Sequence, residues 1–199
     1  LAKNTIDEDD ISYLINWLKT HPRLTKGKET VTFEEKWSKW LGVKHSVYVN
    51  SGSSANLAII YALKAANMLS NNKVIVPAIS WSTTVAPIMQ FGLEPILCDA
   101  SKDNLGLDVS HFKALCEEHK PSAVILVHVL GMPCHMKEIQ KICKDNKVHL
   151  IEDTCESVGS LYDNKKLGTF GLASSFSFYY GHHLSTIEGG MICTNDTKF

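Results

Sequence analysis

Three short segments and one longer one put reactive groups where apolar runs end. Asn50-Ser51-Gly52-Ser53-Ser54-Ala55-Asn56 sets a glycine and consecutive hydroxyls between a β-rich run and a helical segment. The free N–H groups of a helix start, together with its dipole, favour an anion there, and a phosphate fits. Taken alone, the same residues also suit an ordinary serine N-cap. They form neither a Walker motif nor a GxGxxG fingerprint. Ile151-Glu152-Asp153 ends a second run so apolar that the Asp153 carboxylate meets little solvent. Such a group calls for a cation such as a protonated heterocyclic nitrogen, or else for a helix start or a structural ion pair. Trp81 follows the run Val74 to Pro77 at a similar height, where its face could cover a planar ligand; by itself it reads as core. Between Ser175 and Gly190 the neighbours His182 and His183 lie near hydroxyls and a Glu188-Gly189-Gly190 turn, a set suited to acid–base or metal chemistry. His128, Cys134, His135, Cys143, His149 and Cys155 are a second pool of ligand types. Neither pool has the short spacings of a zinc site, so no metal is expected.

The elements that must hold these residues follow from hydrophobic periodicity. Apolar β-rich runs at 46–49, 73–76, 95–98, 123–127 and 148–151 alternate with helical segments near 53–69, 81–91, 108–119 and 135–146. Continuously apolar strands joined by crossover-length helices predict an α/β fold, a mostly parallel sheet flanked by helices. In such sheets ligands bind at the carboxyl ends of the strands, where the segments above fall. Upstream, Asp7 to Lys19 predicts an amphipathic helix with acidic residues at its start and Ile11, Leu14, Ile15 and Leu18 on one face. A second helix is expected after a Thr32-x-x-Glu35 capping box, with Phe33, Trp37, Trp40 and Leu41 as its apolar stripe.

Composition narrows the classes of function. The 199 residues carry 20 Lys+Arg against 21 Asp+Glu, a formal charge of -1. That balance excludes a general electrostatic grip on nucleic acid or an anionic membrane, so an anion must be held locally. At 44% hydrophobic and 21% charged the chain matches soluble globular domains. No run approaches a membrane span, and Leu1 to Thr5 lack the apolar run of a secretion signal, so a cytoplasmic protein is expected. The six cysteines have no CxxC pairing, which suits reduced thiols. The chain starts with Leu rather than Met and stops at Thr197-Lys198-Phe199 with no evident terminating element, so we expect a longer natural protein.

Taken together and in order, Ser51 to Asn56, Pro77-Ala78-Ile79-Ser80-Trp81, Ile151 to Glu156, and Ser175-Phe176-Ser177-Phe178 leading to Glu188 through Thr194 resemble the sugar-nucleotide aminotransferase family of the DegT/StrS type. That resemblance implies the PLP-dependent aminotransferase architecture (fold type I), with residues 1–196 as the cofactor-binding large domain and a C-terminal small domain absent. It implies pyridoxal or pyridoxamine phosphate as cofactor. Gly52, Ser53, Ser54 and Ser177 would cradle the phosphate, Trp81 would stack on the pyridine ring, and Asp153 would pair with the ring nitrogen so that the ring serves as an electron sink. Glu156 falls where family members usually carry Gln or His near the cofactor's 3-hydroxyl. A homodimer is implied as well, because in this fold the site lies at a subunit interface.

The largest departure is six residues before Glu188. There the family's aminotransferases place the lysine that holds the cofactor covalently, and this chain has His182. An imidazole cannot form that bond, so the cofactor would be held noncovalently. The change resembles the family's 3-dehydratases, which act on nucleotide-linked 4-keto-6-deoxyhexoses with pyridoxamine phosphate, glutamate being the implied amino donor. His182 would be the base, with His183 orienting it or packing. The alternatives are a sugar-nucleotide aminotransferase whose lysine is lost or relocated, and a non-catalytic cofactor- or nucleotide-sugar-binding scaffold.

Overall fold

The computed structural model describes residues 6–199; the five residues before them, which the expected 1–196 domain includes, lie outside the described region. In chain order the elements are α1 (Glu8–Leu18), α2 (Lys28–Leu41), β1 (His45–Val49), α3 (Gly52–Ala65), β2 (Lys73–Pro77), α4 (Ser82–Gln90), β3 (Glu94–Cys98), α5 (Val109–His119), β4 (Ala123–Val127), α6 (Met136–Asn146), β5 (His149–Asp153), the short hairpin β6 (Leu161–Tyr162) and β7 (Lys165–Lys166), then β8 (Ala173–Ser177) and β9 (Gly190–Thr194). Seven strands form one sheet in the order β1-β9-β8-β5-β4-β2-β3. Strand β9 runs antiparallel to both its neighbours, and the other six point the same way.

Burial on both faces explains why the central strands are apolar throughout. All five residues of β4 are buried. Val124 and Leu126 join a core with Phe112, Met136 and Ile139 from α5 and α6. Ala123 and Ile125 face the other way, onto Ile59, Ile60, Leu63 and Ile88 from α3 and α4. A third cluster fixes α2 to the sheet through Trp37, Leu41, Phe176, Phe178 and Met191. Among the described residues, no helix is long and apolar enough to cross a membrane.

Two expectations from sequence need correction. Helix α2 starts at Lys28 with Gly27 as its N-cap, so Thr32 and Glu35 lie inside the helix and form no capping box. The strong helix formers Lys28 and Glu29 carry the helix a turn further back than the apolar stripe indicated. Of that stripe, Trp37 and Leu41 are buried while Trp40 is 39% exposed. Helix α1 is capped as its acidic start suggested, Asp7 and Asp10 each bonding the other's backbone N–H. It buries none of its side chains, and Ile11, Leu14, Ile15 and Leu18 stay exposed.

Candidate active site

The reactive segments converge at the carboxyl ends of β1, β2, β5 and β8. Ser51 is the N-cap of α3, its Oγ accepting the Ser54 N–H at 3.0 Å. None of the hydrogen bonds among the described residues uses the N–H of Gly52 or Ser53. Two free donors and the positive end of a 14-residue helix therefore face outward together. The glycine is a steric requirement, since a Cβ on Gly52 would lie 2.7 Å from both Cys155 Sγ and Ser177 Cβ. A Cβ on Gly190, the last residue of the Glu-Gly-Gly turn, would collide with the backbone of Ser51. The start of α3 is thus wedged between β8 and β9, which brings Ser177 beside Gly52. The Ser177 hydroxyl accepts the Tyr179 N–H at a long 3.4 Å. Ser53 and Ser54 are half-buried, Ser53 Oγ donating to Thr83 Oγ1 at 3.1 Å.

Asp153 closes β5 and is 5% exposed. Its Oδ2 accepts from Asn56 Nδ2 at 2.8 Å and from Thr84 Oγ1 at 2.9 Å, and its Oδ1 accepts the Cys155 N–H at 3.2 Å. The two lysine ion pairs among the described residues, Lys26–Glu34 and Lys113–Glu117, lie elsewhere, and no cation among the described residues is paired with Asp153. Neither a helix cap nor a structural ion pair accounts for this carboxylate. Trp81, the N-cap of α4, is 71% exposed. It is not the core residue its type suggested, and its indole face is open beside the start of α4.

His182 sits in the β8–β9 connection. That segment is an irregular loop closed by Phe178 N–H to Gly189 O, Thr186 N–H to Phe178 O and Tyr180 N–H to Ile187 O. At its tip the His182 N–H donates to Tyr179 O at 2.9 Å, and its ring lies edge-on to Tyr179. Half-burial holds the His182 imidazole below its ordinary 6.5. The negative charges of Glu156 and Asp153 work against that shift, and His183 adds to it. A neutral, basic imidazole therefore stands within electrostatic reach of both site carboxylates, while His183 is exposed. Glu156 is half-buried, and its Oε2 accepts the Leu130 N–H at 2.8 Å, bracing the tight turn Val129–Gly131. Lys165 and Lys166 are engaged on the β6–β7 hairpin, over Phe170 and Trp40 respectively, and Lys166 Nζ also donates to Trp40 O.

The other pool of candidate ligands is dispersed. Among the described residues no three His, Cys, Asp or Glu side chains are grouped to hold a metal. His128 instead pairs with Glu152, both fully buried, at 3.2 Å. The Cys134 N–H donates to His128 Nδ1, which assigns the ring proton to Nε2 facing Glu152. Glu152 also accepts the N–H groups of Gly168, Phe170 and Gly171. The six cysteines are free thiols, five of them buried. Two shallow concavities of about 640 and 550 Å³ lie at the opposite end of the sheet, lined by Gln140, Lys144 and Phe170 and by Lys44, Asn195 and Lys198.

Three site residues had no assigned role in the sequence: Asn56, Thr83 and Thr84. The available signal was polarity in apolar company. Asn56 stands among Ala55, Leu57, Ala58 and Ile59, and Thr84 precedes Val85, Ala86, Pro87 and Ile88. Both lie near the N-terminal ends of helices whose starts face the sheet's carboxyl end.

The profile of the DegT/DnrJ/EryC1/StrS aminotransferase family matches residues 4–199. The chain belongs to that family. Among its relatives, the GDP-4-keto-6-deoxy-D-mannose 3-dehydratase of Yersinia pseudotuberculosis is 37% identical over 100% of this chain and 51% of the relative, and that of Escherichia coli O55:H7 is 38% identical over 96% and 50%. A solved structure of the E. coli enzyme with bound hydrated PLP superposes with a TM-score of 0.92 at 38% identity, covering 98% of this chain and 51% of that one. The Helicobacter pylori aminotransferase PseC superposes at 0.89 with 30% identity, over 99% and 52%. The sheet and its helices are thus the architecture shared by the family's dehydratases and aminotransferases. The chain spans about half the length of the curated relatives it matches.

Proposed function

We propose that the intact protein is a pyridoxamine phosphate-dependent 3-dehydratase of a nucleotide-linked 4-keto-6-deoxyhexose, working in deoxysugar biosynthesis with glutamate as amino donor. The observation that carries this reading is His182. By the resemblance it falls where the family's aminotransferases hold the cofactor covalently, its imidazole is basic, and Lys165 and Lys166 are engaged elsewhere. The relatives named GDP-4-keto-6-deoxy-D-mannose 3-dehydratase favour a GDP-linked mannose derivative as substrate.

The residues present fit the cofactor. Free N–H groups of Gly52 and Ser53, with the hydroxyls of Ser53, Ser54 and Ser177, match a phosphate monoester. Trp81 offers an open aromatic face. Asp153 Oδ2 has two donors, whereas Oδ1 has one and retains acceptor capacity for a ring N–H. Glu156 would stand beside the 3-hydroxyl. When bound, the cofactor would supply an amine reactive toward the sugar's 4-keto group and a ring able to absorb electrons released beside it.

Each side chain then has a task. Asp153 keeps the ring nitrogen protonated, Trp81 restricts the ring plane, and the α3 start anchors the phosphate that no covalent bond replaces. His182, uncharged, would take the proton from the carbon that bears the cofactor's amine and, as imidazolium, would pass it to the departing 3-hydroxyl, which leaves as water. Lysine in its place would compete for the cofactor as a covalent ligand, which histidine does not. A cytoplasmic homodimer completes the proposal. Exposed Trp81, Leu130, Tyr179, Tyr180 and Ile187 around the site support it, an apolar rim suited to cover by a second subunit.

Product analysis tests the assignment. The intact protein is incubated with pyridoxamine phosphate, glutamate and GDP-4-keto-6-deoxymannose, and the sugar is examined by NMR. Loss of the 3-hydroxyl supports a dehydratase. A stable 4-amino sugar would identify an aminotransferase, and absence of turnover a binding scaffold.

A further inference from the structure

Beneath the shelf that faces ligand, three side chains form a closed polar knot between two helices and the sheet. Asn56 is the fifth residue of α3 and Thr84 the third of α4, and both are buried, at 3% and 0% exposure. Their donors meet on one oxygen, Asp153 Oδ2, at 2.8 and 2.9 Å. Asn56 Nδ2 also reaches Thr83 O at 3.4 Å. This fixes the amide's orientation, because a flipped Asn56 would turn its oxygen toward both the carboxylate and the Thr83 carbonyl. The cost of that orientation is visible: Asn56 Oδ1 is buried with no partner. A buried acceptor without a donor opposes folding. Leucine, branched at the same carbon, would lack that defect, so the amide is accounted for by what it does to Asp153.

The consequence concerns geometry. With both acceptor positions of Oδ2 taken, the carboxylate cannot rotate about its Cβ–Cγ bond without breaking two buried hydrogen bonds. Oδ1, which accepts only the Cys155 N–H at 3.2 Å, is left as the oxygen able to receive another donor. The same two residues tie the Asp153 side chain to the helix start that bears Gly52 and Ser53 and to the helix start that bears Trp81. The three contacts a planar phosphorylated heterocycle needs are thereby held at fixed separations.

We propose that Asn56 and Thr84 are positioning residues that aim Asp153 Oδ1 at the ring nitrogen of the cofactor and so make the site selective for a ring that carries an N–H. This rests on the assignment of Asp153 given above, and it adds residues that touch neither substrate nor cofactor.

The test compares equilibrium binding of pyridoxamine phosphate with binding of its 1-deaza analogue, in which carbon replaces the ring nitrogen, to the intact protein. A residue that merely supports the fold changes both affinities together. A residue that aims Asp153 changes their ratio. We expect the parent protein to prefer the nitrogen-bearing ring, Thr84→Val and Asn56→Leu each to cut that preference about tenfold, as fits loss of one hydrogen bond to a charged group, and Thr84→Ser to restore it. Asp153→Ala should abolish it. If Asp153→Ala abolishes the preference and the Thr84→Val, Asn56→Leu double variant keeps it, the positioning role is wrong and the Asp153 assignment stands. A preference that survives Asp153→Ala overturns both. Should Asn56→Leu fail to fold, Thr84→Val against Thr84→Ser decides alone.

Discussion

Gly52→Ala is the smallest change that separates a built anion cradle from an ordinary helix start. The added Cβ would lie 2.7 Å from Cys155 Sγ and from Ser177 Cβ, against the roughly 3.5–4.0 Å at which such atoms rest. About 1 Å must be found. Cys155 can yield by turning its side chain, but Ser177 Cβ is one bond from the backbone of β8, which is paired with both β5 and β9. The movement therefore falls on α3, whose start also meets Gly190 on its other side. Overpacking of this kind costs about 1–3 kcal/mol. In a domain of this size that lowers Tm by roughly 2–12 °C. Because the N–H groups of Gly52 and Ser53 move with the helix, affinity for pyridoxamine phosphate should fall about tenfold or more, the worth of one charge-assisted hydrogen bond. Thermal unfolding and equilibrium binding on the same samples give both numbers. Adding Cys155→Ala removes one of the two clashes and should recover part of each loss. A Gly52→Ala protein with parental Tm and affinity within twofold of the parent would refute the reasoning.

Other consequences can be checked independently. The Glu156 carboxylate raises the His182 pKa against the effect of burial, so Glu156→Gln should lower it further below 6.5. The basic form then persists to lower pH, and the acid limb of the kcat/KM profile moves to lower pH; a shift upward or none would contradict the placement of Glu156. His182→Lys should give a borohydride-fixable adduct with pyridoxal phosphate on residue 182, detected by mass spectrometry, and bound cofactor without an adduct would show that position 182 does not face it. Glu152→Gln sets an amide donor against N–H groups at Gly168 or at Phe170 and Gly171, and should cost about 3 kcal/mol, a Tm lower by roughly 6–12 °C. Parental thermal stability would mean that Glu152 does not organise that loop.

Much of the scaffold was legible because burial on both faces leaves a plain signature. Ala123 to Val127 and His149 to Asp153 announce central strands by being apolar without alternation, and Asp153 then stands out as a charge where a strand ends. What sequence could not show were relations across the sheet. β8 is mostly serine and β9 has only Met191-Ile192-Cys193 in an apolar row, so the antiparallel strand that brings Gly190 onto Ser51 was invisible. Thr32 and Glu35 had the spacing of a capping box, but a good helix former upstream extends a helix whatever the box suggests. Trp81 looked like core because aromatic residues usually are, and only the position of α4 at the rim shows its face to be open. Asn56 and Thr84 were hidden for a different reason: their partner lies 97 and 69 residues away along the chain. The resemblance to the family supplied the role of His182, which no periodicity indicates.

The central claim is that an imidazole, in place of a covalent lysine, moves the proton on which loss of the 3-hydroxyl depends. Its most direct measurement is single-turnover conversion of GDP-4-keto-6-deoxymannose by His182→Asn in the intact protein, loaded with pyridoxamine phosphate and compared with the parent. The account predicts unchanged cofactor affinity and a rate of hydroxyl loss about 10²–10⁴-fold lower. A His182→Asn protein that eliminates the hydroxyl as fast as the parent would contradict it.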